Sequence, residues 1–147
     1  MSSILLHEVK GKSEILTFNN PEKLNILSEE MLEQLSAALL KSSSNPSTQV
    51  VILRSTGKAF CAGHDLKEMH RARANNDGGL DYFKSLFKKC SNLMMQIKNL
   101  PKPVIAEVQG VATAAGCQLV ATCDIALASD TARFGVNGVN IGLFCST

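Results

Sequence analysis

Three short apolar runs, "VVILR" (50–54), "VIAEV" (104–108) and "DIALAS" (124–129), do most to limit what this chain can fold into. Each is nearly continuous in apolar residues and too short for an ordinary helix, which predicts strands covered on both faces. Such strands need a layer above and a layer below, and helical stripes lie between them. Ser28 followed by Glu29 and Glu30 reads as a helix start, a hydroxyl for an orphan N–H and two acids at the positive end of the dipole. That helix is predicted to run to about Ser43, with Met31, Leu32, Leu35, Leu39 and Leu40 on its apolar face. A second stripe, Leu80, Phe83, Leu86, Phe87, Cys90, Leu93, Met94 and Ile97, predicts a helix over 80–98 and is assigned to the core. "ILLHEV" (4–9) and "EILTF" (14–18) flank the turn-like "KGKS" as two further strands, and a small-residue helix is predicted over about 113–122. The polar "RARANNDGG" (71–79) is expected to be a mobile surface loop. Strands alternating with helices predict an α/β domain with parallel pairing.

With 45% hydrophobic and 19% charged residues, the 147-residue chain fits one ordinary soluble domain. A net charge of +2, one Tyr and no Trp give no sign of a nucleic-acid partner. The charge is uneven, however. Between Arg54 and Lys102 ten Lys or Arg face four Asp or Glu, which is read either as a solvated surface or as a neighbourhood for a phosphorylated ligand. Five cysteines, at 61, 90, 117, 123 and 145, form no CxxC pair and no zinc spacing, so they read as small residues in a reducing compartment. The start "MSSILLHEV" resembles neither a signal peptide nor a transit peptide, and no apolar run approaches the roughly 20 residues of a membrane span. A cytoplasmic protein with no membrane partner is the expectation. The close, "IGLFCST", reads as an element left unfinished, so the chain is expected to be truncated.

Two stretches place backbone N–H groups at the mouth of a helix. In "FCAGHDL" (60–66), Gly63 makes a tight turn and a helix begins near Asp65. In "QGVATAAGCQL" (109–119), Gly110, Ala112, Ala114, Ala115 and Gly116 keep side chains away from anything approaching the helix start. Two such N–H groups aimed at one point make an oxyanion hole. The plainer reading is a pair of close-packed strand-to-helix turns.

"NNPEKLNILSEEML", "FCAGHDLKEM", "KPVIAEVQGVATAAGCQLVATCDIALAS" and "FGVNGVNIGL" together resemble, block for block, the crotonase superfamily, which includes enoyl-CoA hydratase and enoyl-CoA isomerase. Within it the likeness is nearest to the enoyl-CoA hydratase domain-containing proteins. The resemblance implies a crotonase-like α/β spiral of ββα units, with residues 1–147 as the N-terminal core of an acyl-CoA-binding domain. It implies an acyl-CoA thioester as substrate, coenzyme A present only as part of that substrate, a place in fatty acid metabolism, and a homotrimer or dimer of trimers at full length. It places the oxyanion-hole donors on the backbone of His64 and Ala115, and the CoA contacts on Glu22, Lys23 and Leu24 and on Ala62, His64, Asp65, Leu66 and Lys67. A hydratase of this family uses two glutamates to hold and activate one water. Gln118 and Gly138 stand at those positions here; a glutamine relays no proton near neutral pH and a glycine offers no side chain. The expectation is therefore a thioester grip with doubtful or slow hydration, as a lyase or isomerase, or else a non-catalytic acyl-CoA binder.

Other polar residues rank lower. The His64 side chain has the pKa range for proton transfer. Asn137 and Asn140 can hydrogen-bond a substrate, and Cys145 is a nucleophile only if its pKa is depressed. His7 and His70 lie on surface-like segments, and Asp124 reads as a backbone cap. His64, Asp65, Glu68 and His70 do not converge on a metal, and none is expected. "GVNGVNIG" fits neither the Rossmann nor the P-loop template.

Overall fold

The computed structural model describes residues 3–143. Strands β1 (Leu5–Lys10) and β2 (Ser13–Phe18) form an antiparallel hairpin, and helix α1 (Glu29–Ser44) follows. Its start is the expected one, with the Ser28 hydroxyl accepting from the Met31 N–H at 3.2 Å. Next come β3 (Val50–Ser55), β4 (Ala59–Cys61), α2 (Leu66–Ala72) and α3 (Leu80–Lys98). Then β5 (Val104–Val108), β6 (Val111–Thr113) and α4 (Ala115–Thr122) are followed by β7 (Ile125–Ala128), β8 (Arg133–Gly135) and a 3-10 turn, Asn137–Ile141.

The strands make two sheets, one ordered β1-β2-β3-β5-β7 and one ordered β4-β6-β8. Apart from the hairpin every pairing is parallel. The chain thus repeats one move: a strand in the larger sheet, a short strand in the smaller, then a helix. This is the ββα spiral, and nothing in the sequence repeats with it. The three strands of the smaller sheet have three residues each, too few to show a period.

Leu16, Phe18, Val51, Leu53, Val104, Ala106 and Val108 fill the core beneath Met31, Leu35, Leu39, Leu86, Leu93 and Ile97 of α1 and α3. Leu40 and Leu80, expected on apolar faces, point outward at 68% and 54% exposure. "DIALAS" also departs from expectation. All four residues of β7 are exposed, because β7 is the sheet's edge strand and the described residues place no layer over it. The 113–122 helix begins at 115, because Thr113 closes β6 and Ala114 is the helix N-cap. In the 71–79 segment, residues 71–72 close α2, and the Asp77 carboxylate accepts from the N–H groups of Gly79 and Asp81 at 2.9 Å. Leu143 is partly buried against the core, while Phe144 and Cys145 lie outside the described residues.

Several polar side chains are tied to partners. Glu14 meets His7 Nε2 at 2.8 Å and accepts from the Thr48 hydroxyl at 2.8 Å. Asp124 Oδ2 accepts from the Val104 N–H at 2.7 Å, the backbone-capping role its position suggests.

Candidate active site

The loop between β2 and α1 is held by one buried amide. Asn25 donates from Nδ2 to the carbonyls of Thr56 and Ala59, both at 2.8 Å, and accepts from the Asn20 N–H at 2.8 Å. The loop then pairs with the segment after β4, through Ala62 N–H to Leu24 carbonyl at 3.1 Å and Leu27 N–H to Gly63 carbonyl at 2.7 Å. Residues 22–24 and 62–67, far apart in sequence, therefore form one continuous rim.

Beyond Gly63 the chain turns into α2. Gly63 has φ 91, a left-handed conformation that side chains resist, and Asp65 caps the helix by accepting from the N–H groups of Lys67 at 2.8 Å and Glu68 at 3.3 Å. A methyl at Gly63 would sit 3.0 Å from Ala114 Cβ and 3.4 Å from the Ala115 nitrogen, so this turn adjoins the one that starts α4. There Ala114 holds φ 51 and ψ −128, a strained conformation for any residue with a Cβ, and offers α4 no side-chain cap. Its own N–H donates to the Gly135 carbonyl at 2.8 Å and its carbonyl accepts from Cys117 and Gln118. Among the described residues, the N–H groups of His64 and Ala115 donate to no protein acceptor.

Both residues line a cavity of about 580 Å³, a volume in the range of small-molecule sites. Its wall also includes every other residue assigned from the sequence: Glu22, Lys23, Leu24, Ala62, Asp65, Leu66, Lys67, Gln118 and Gly138. Gln118 is half-buried on the first turn of α4, and Gly138 is buried in the 3-10 turn. Asn137 and Asn140 are there too, Asn137 with its Oδ1 accepting from the Thr113 hydroxyl at 2.6 Å.

Some residues behave differently from their sequence reading. A Cβ on Gly116 would fall 2.2 Å from the Cys61 carbonyl oxygen, so this glycine lets α4 pack against β4 and does not clear a path for a ligand. Of the basic residues between Arg54 and Lys102, the cavity wall holds Lys67. Lys89 bridges Glu29 and Glu33, which raise its pKa, Lys102 donates to carbonyls of Ser42 and Asn45, and Arg54 bonds Glu8 and Thr17. Phe87, placed in the core by its stripe, lines the cavity with Met69. Its ring meets His64 edge-on, the centroids 5.8 Å apart. Burial lowers the His64 pKa below its usual 6.5, the Leu27 backbone working the other way. Burial pushes the thiols of Cys61 and Cys123 up to about 12, leaving them inert. No three His, Cys, Asp or Glu side chains among the described residues are grouped to hold a metal.

The fold is that of the crotonases. An enoyl-CoA hydratase from Mycobacterium smegmatis superposes with a TM-score of 0.91 at 49% identity, covering 99% of this chain and 55% of that one. Human enoyl coenzyme A hydratase domain-containing protein 3 gives 0.90 at 44% identity, covering 98% and 55%. Residues 11–147 match the enoyl-CoA hydratase/isomerase family, and the chain belongs to it. The zebrafish (Danio rerio) protein named enoyl-CoA hydratase domain-containing protein 3, mitochondrial, is 49% identical over 146 residues, 99% of this chain and 49% of that protein. Its human counterpart is 48% identical over 132 residues, 90% of this chain and 42% of that protein. The chain thus spans about half the length of the curated relatives it matches. Those relatives are named as mitochondrial, which overturns the expectation of a cytoplasmic protein. Targeting signals are separate from the folded domain, and nine residues of N-terminal sequence do not establish a compartment. No helix among the described residues is long and apolar enough to cross a membrane.

Proposed function

We propose that this chain binds the thioester end of an acyl-CoA, with the backbone N–H groups of His64 and Ala115 as oxyanion-hole donors. The observation that carries the reading is the pair of N–H groups without acceptors, on adjoining turns at the wall of one cavity. Each donor of such a hole contributes about 3 kcal/mol to stabilising negative charge on a carbonyl oxygen. The CoA portion lies along the rim, between Glu22, Lys23 and Leu24 on one side and Ala62, Asp65, Leu66 and Lys67 on the other. With Lys23 and Lys67 as the cations at that rim, salt weakens binding modestly.

The chemistry that follows is of lyase or isomerase type, with hydration slow. An amide at position 118 and a bare backbone at 138 supply no carboxylate to activate water. The same pair favours a second reading, a homologue that holds acyl-CoA without converting it. Incubating the chain with trans-2-butenoyl-CoA and weighing the products separates the two. On the first reading Gln118→Glu raises the rate of water addition by about 100-fold or more. Tight binding with no hydrated product from either form leaves the second reading standing, and absence of binding sinks both.

A further inference from the structure

Few groups in the cavity are able to move a proton. Glu22, Lys23 and Lys67 stand at its exposed rim, and the Asp65 carboxylate is committed to two backbone N–H groups of α2. His64 differs from all of these. Its ring lines the cavity against Phe87, and its Nδ1 is buried with no hydrogen-bond partner among the described residues. A buried polar atom left unpaired is costly, and a ligand can offset that cost by supplying the missing partner. No carboxylate forms an ion pair with this ring among the described residues, and burial opposes the imidazolium more strongly than the Leu27 backbone favours it. A neutral imidazole keeps one ring nitrogen with a lone pair, free to accept a proton.

We infer that the His64 imidazole is the base that removes a proton from the carbon next to the thioester carbonyl; this rests on the acyl-CoA reading above and adds a step to it. The C–H bond breaks and the proton moves to the ring nitrogen. Its electron pair forms a carbon–carbon double bond, and the carbonyl pair moves onto oxygen to give an enolate. The N–H groups of His64 and Ala115 hold that oxygen, and the reverse step returns the proton from ring to carbon. Nothing is oxidised or reduced, and no co-reactant is needed. Because one residue carries both the base and a hole donor, two side-chain torsions bound the distance between them. Binding of the carbonyl then brings the acidic carbon to the base without help from a second element.

The test is hydrogen exchange of butyryl-CoA in deuterated water with the 147-residue chain. Mass spectrometry reads deuterium uptake at the α-carbon, and calorimetry reads binding. Wild type exchanges, while His64→Gln and His64→Ala, each loaded with butyryl-CoA to saturation as calorimetry verifies, exchange about 100-fold more slowly or worse, the range general-base catalysis supplies. Exchange unchanged in both variants overturns the inference, as does wild type that binds butyryl-CoA and exchanges nothing. Failure of wild type to bind butyryl-CoA overturns the acyl-CoA reading itself, and this inference with it.

Discussion

The two turns that meet at the cavity start their helices in opposite ways. The turn into α2 uses ordinary devices, a glycine at φ 91 and an aspartate that accepts from two N–H groups. The turn into α4 uses an alanine at φ 51 and no side-chain cap. In the first, capping satisfies the helix and the unclaimed N–H lies just ahead of it, on His64. In the second, the helix start itself is left open, and Ala115 is its first residue. A helix that forgoes its cap leaves donors for something else, and the strain at Ala114 is the cost of aiming them.

This contrast can be broken in graded steps. The largest effect is expected from Gly116→Ala. Its Cβ would meet the Cys61 carbonyl at 2.2 Å, so α4 must retreat from β4, at a loss of about 3 kcal/mol or more. An unchanged thermal midpoint would show that the two elements are not in forced contact. Asp65→Ala removes a cap and costs about 1 kcal/mol in chemical denaturation. Because α4 has no such cap to lose, a larger fall would mean that Asp65 supports more than α2. Smallest is Ala114→Gly, which relieves the strained φ and stabilises by about 0.5 kcal/mol after the added chain entropy of glycine is subtracted. It should weaken acyl-CoA binding at the same time, since a freer peptide aims its N–H less well. A variant both more stable and tighter-binding would contradict the link between strain and aim.

The fold was legible where elements are long. The 80–98 helix and the 104–108 strand fall where their patterns put them, because several turns or a nearly continuous apolar run leave little ambiguity. The small sheet was hidden, since three-residue strands carry no period and owe their conformation to neighbours. DIALAS misled for a related reason: an apolar run reports capacity for burial, and β7 is an exposed edge in the described structure. At the site, family blocks located the rim and both turns, and all of those residues reached one cavity wall. Phe87 escaped because a helical stripe does not say which of its members faces the core and which a cavity. Asn25 escaped too, since nothing in "KLNIL" marks an asparagine that bonds a loop more than 30 residues downstream.

That asparagine ties the loop beside the rim to Thr56 and Ala59 through a single nitrogen. Its amide nitrogen donates to two carbonyl oxygens; a carboxylate oxygen in the same place would donate to neither and would repel both. Hydrolytic ageing of the side chain, or the substitution Asn25→Asp, changes almost no volume yet turns two attractions into two repulsions. Segment 20–27 should then part from 56–63 and become open to proteases. Equal resistance of Asn25→Asp and wild type to limited digestion would disprove it. For this protein, shelf life and the shape of the rim would decline together, through the conversion of one amide to an acid at a position outside the cavity wall.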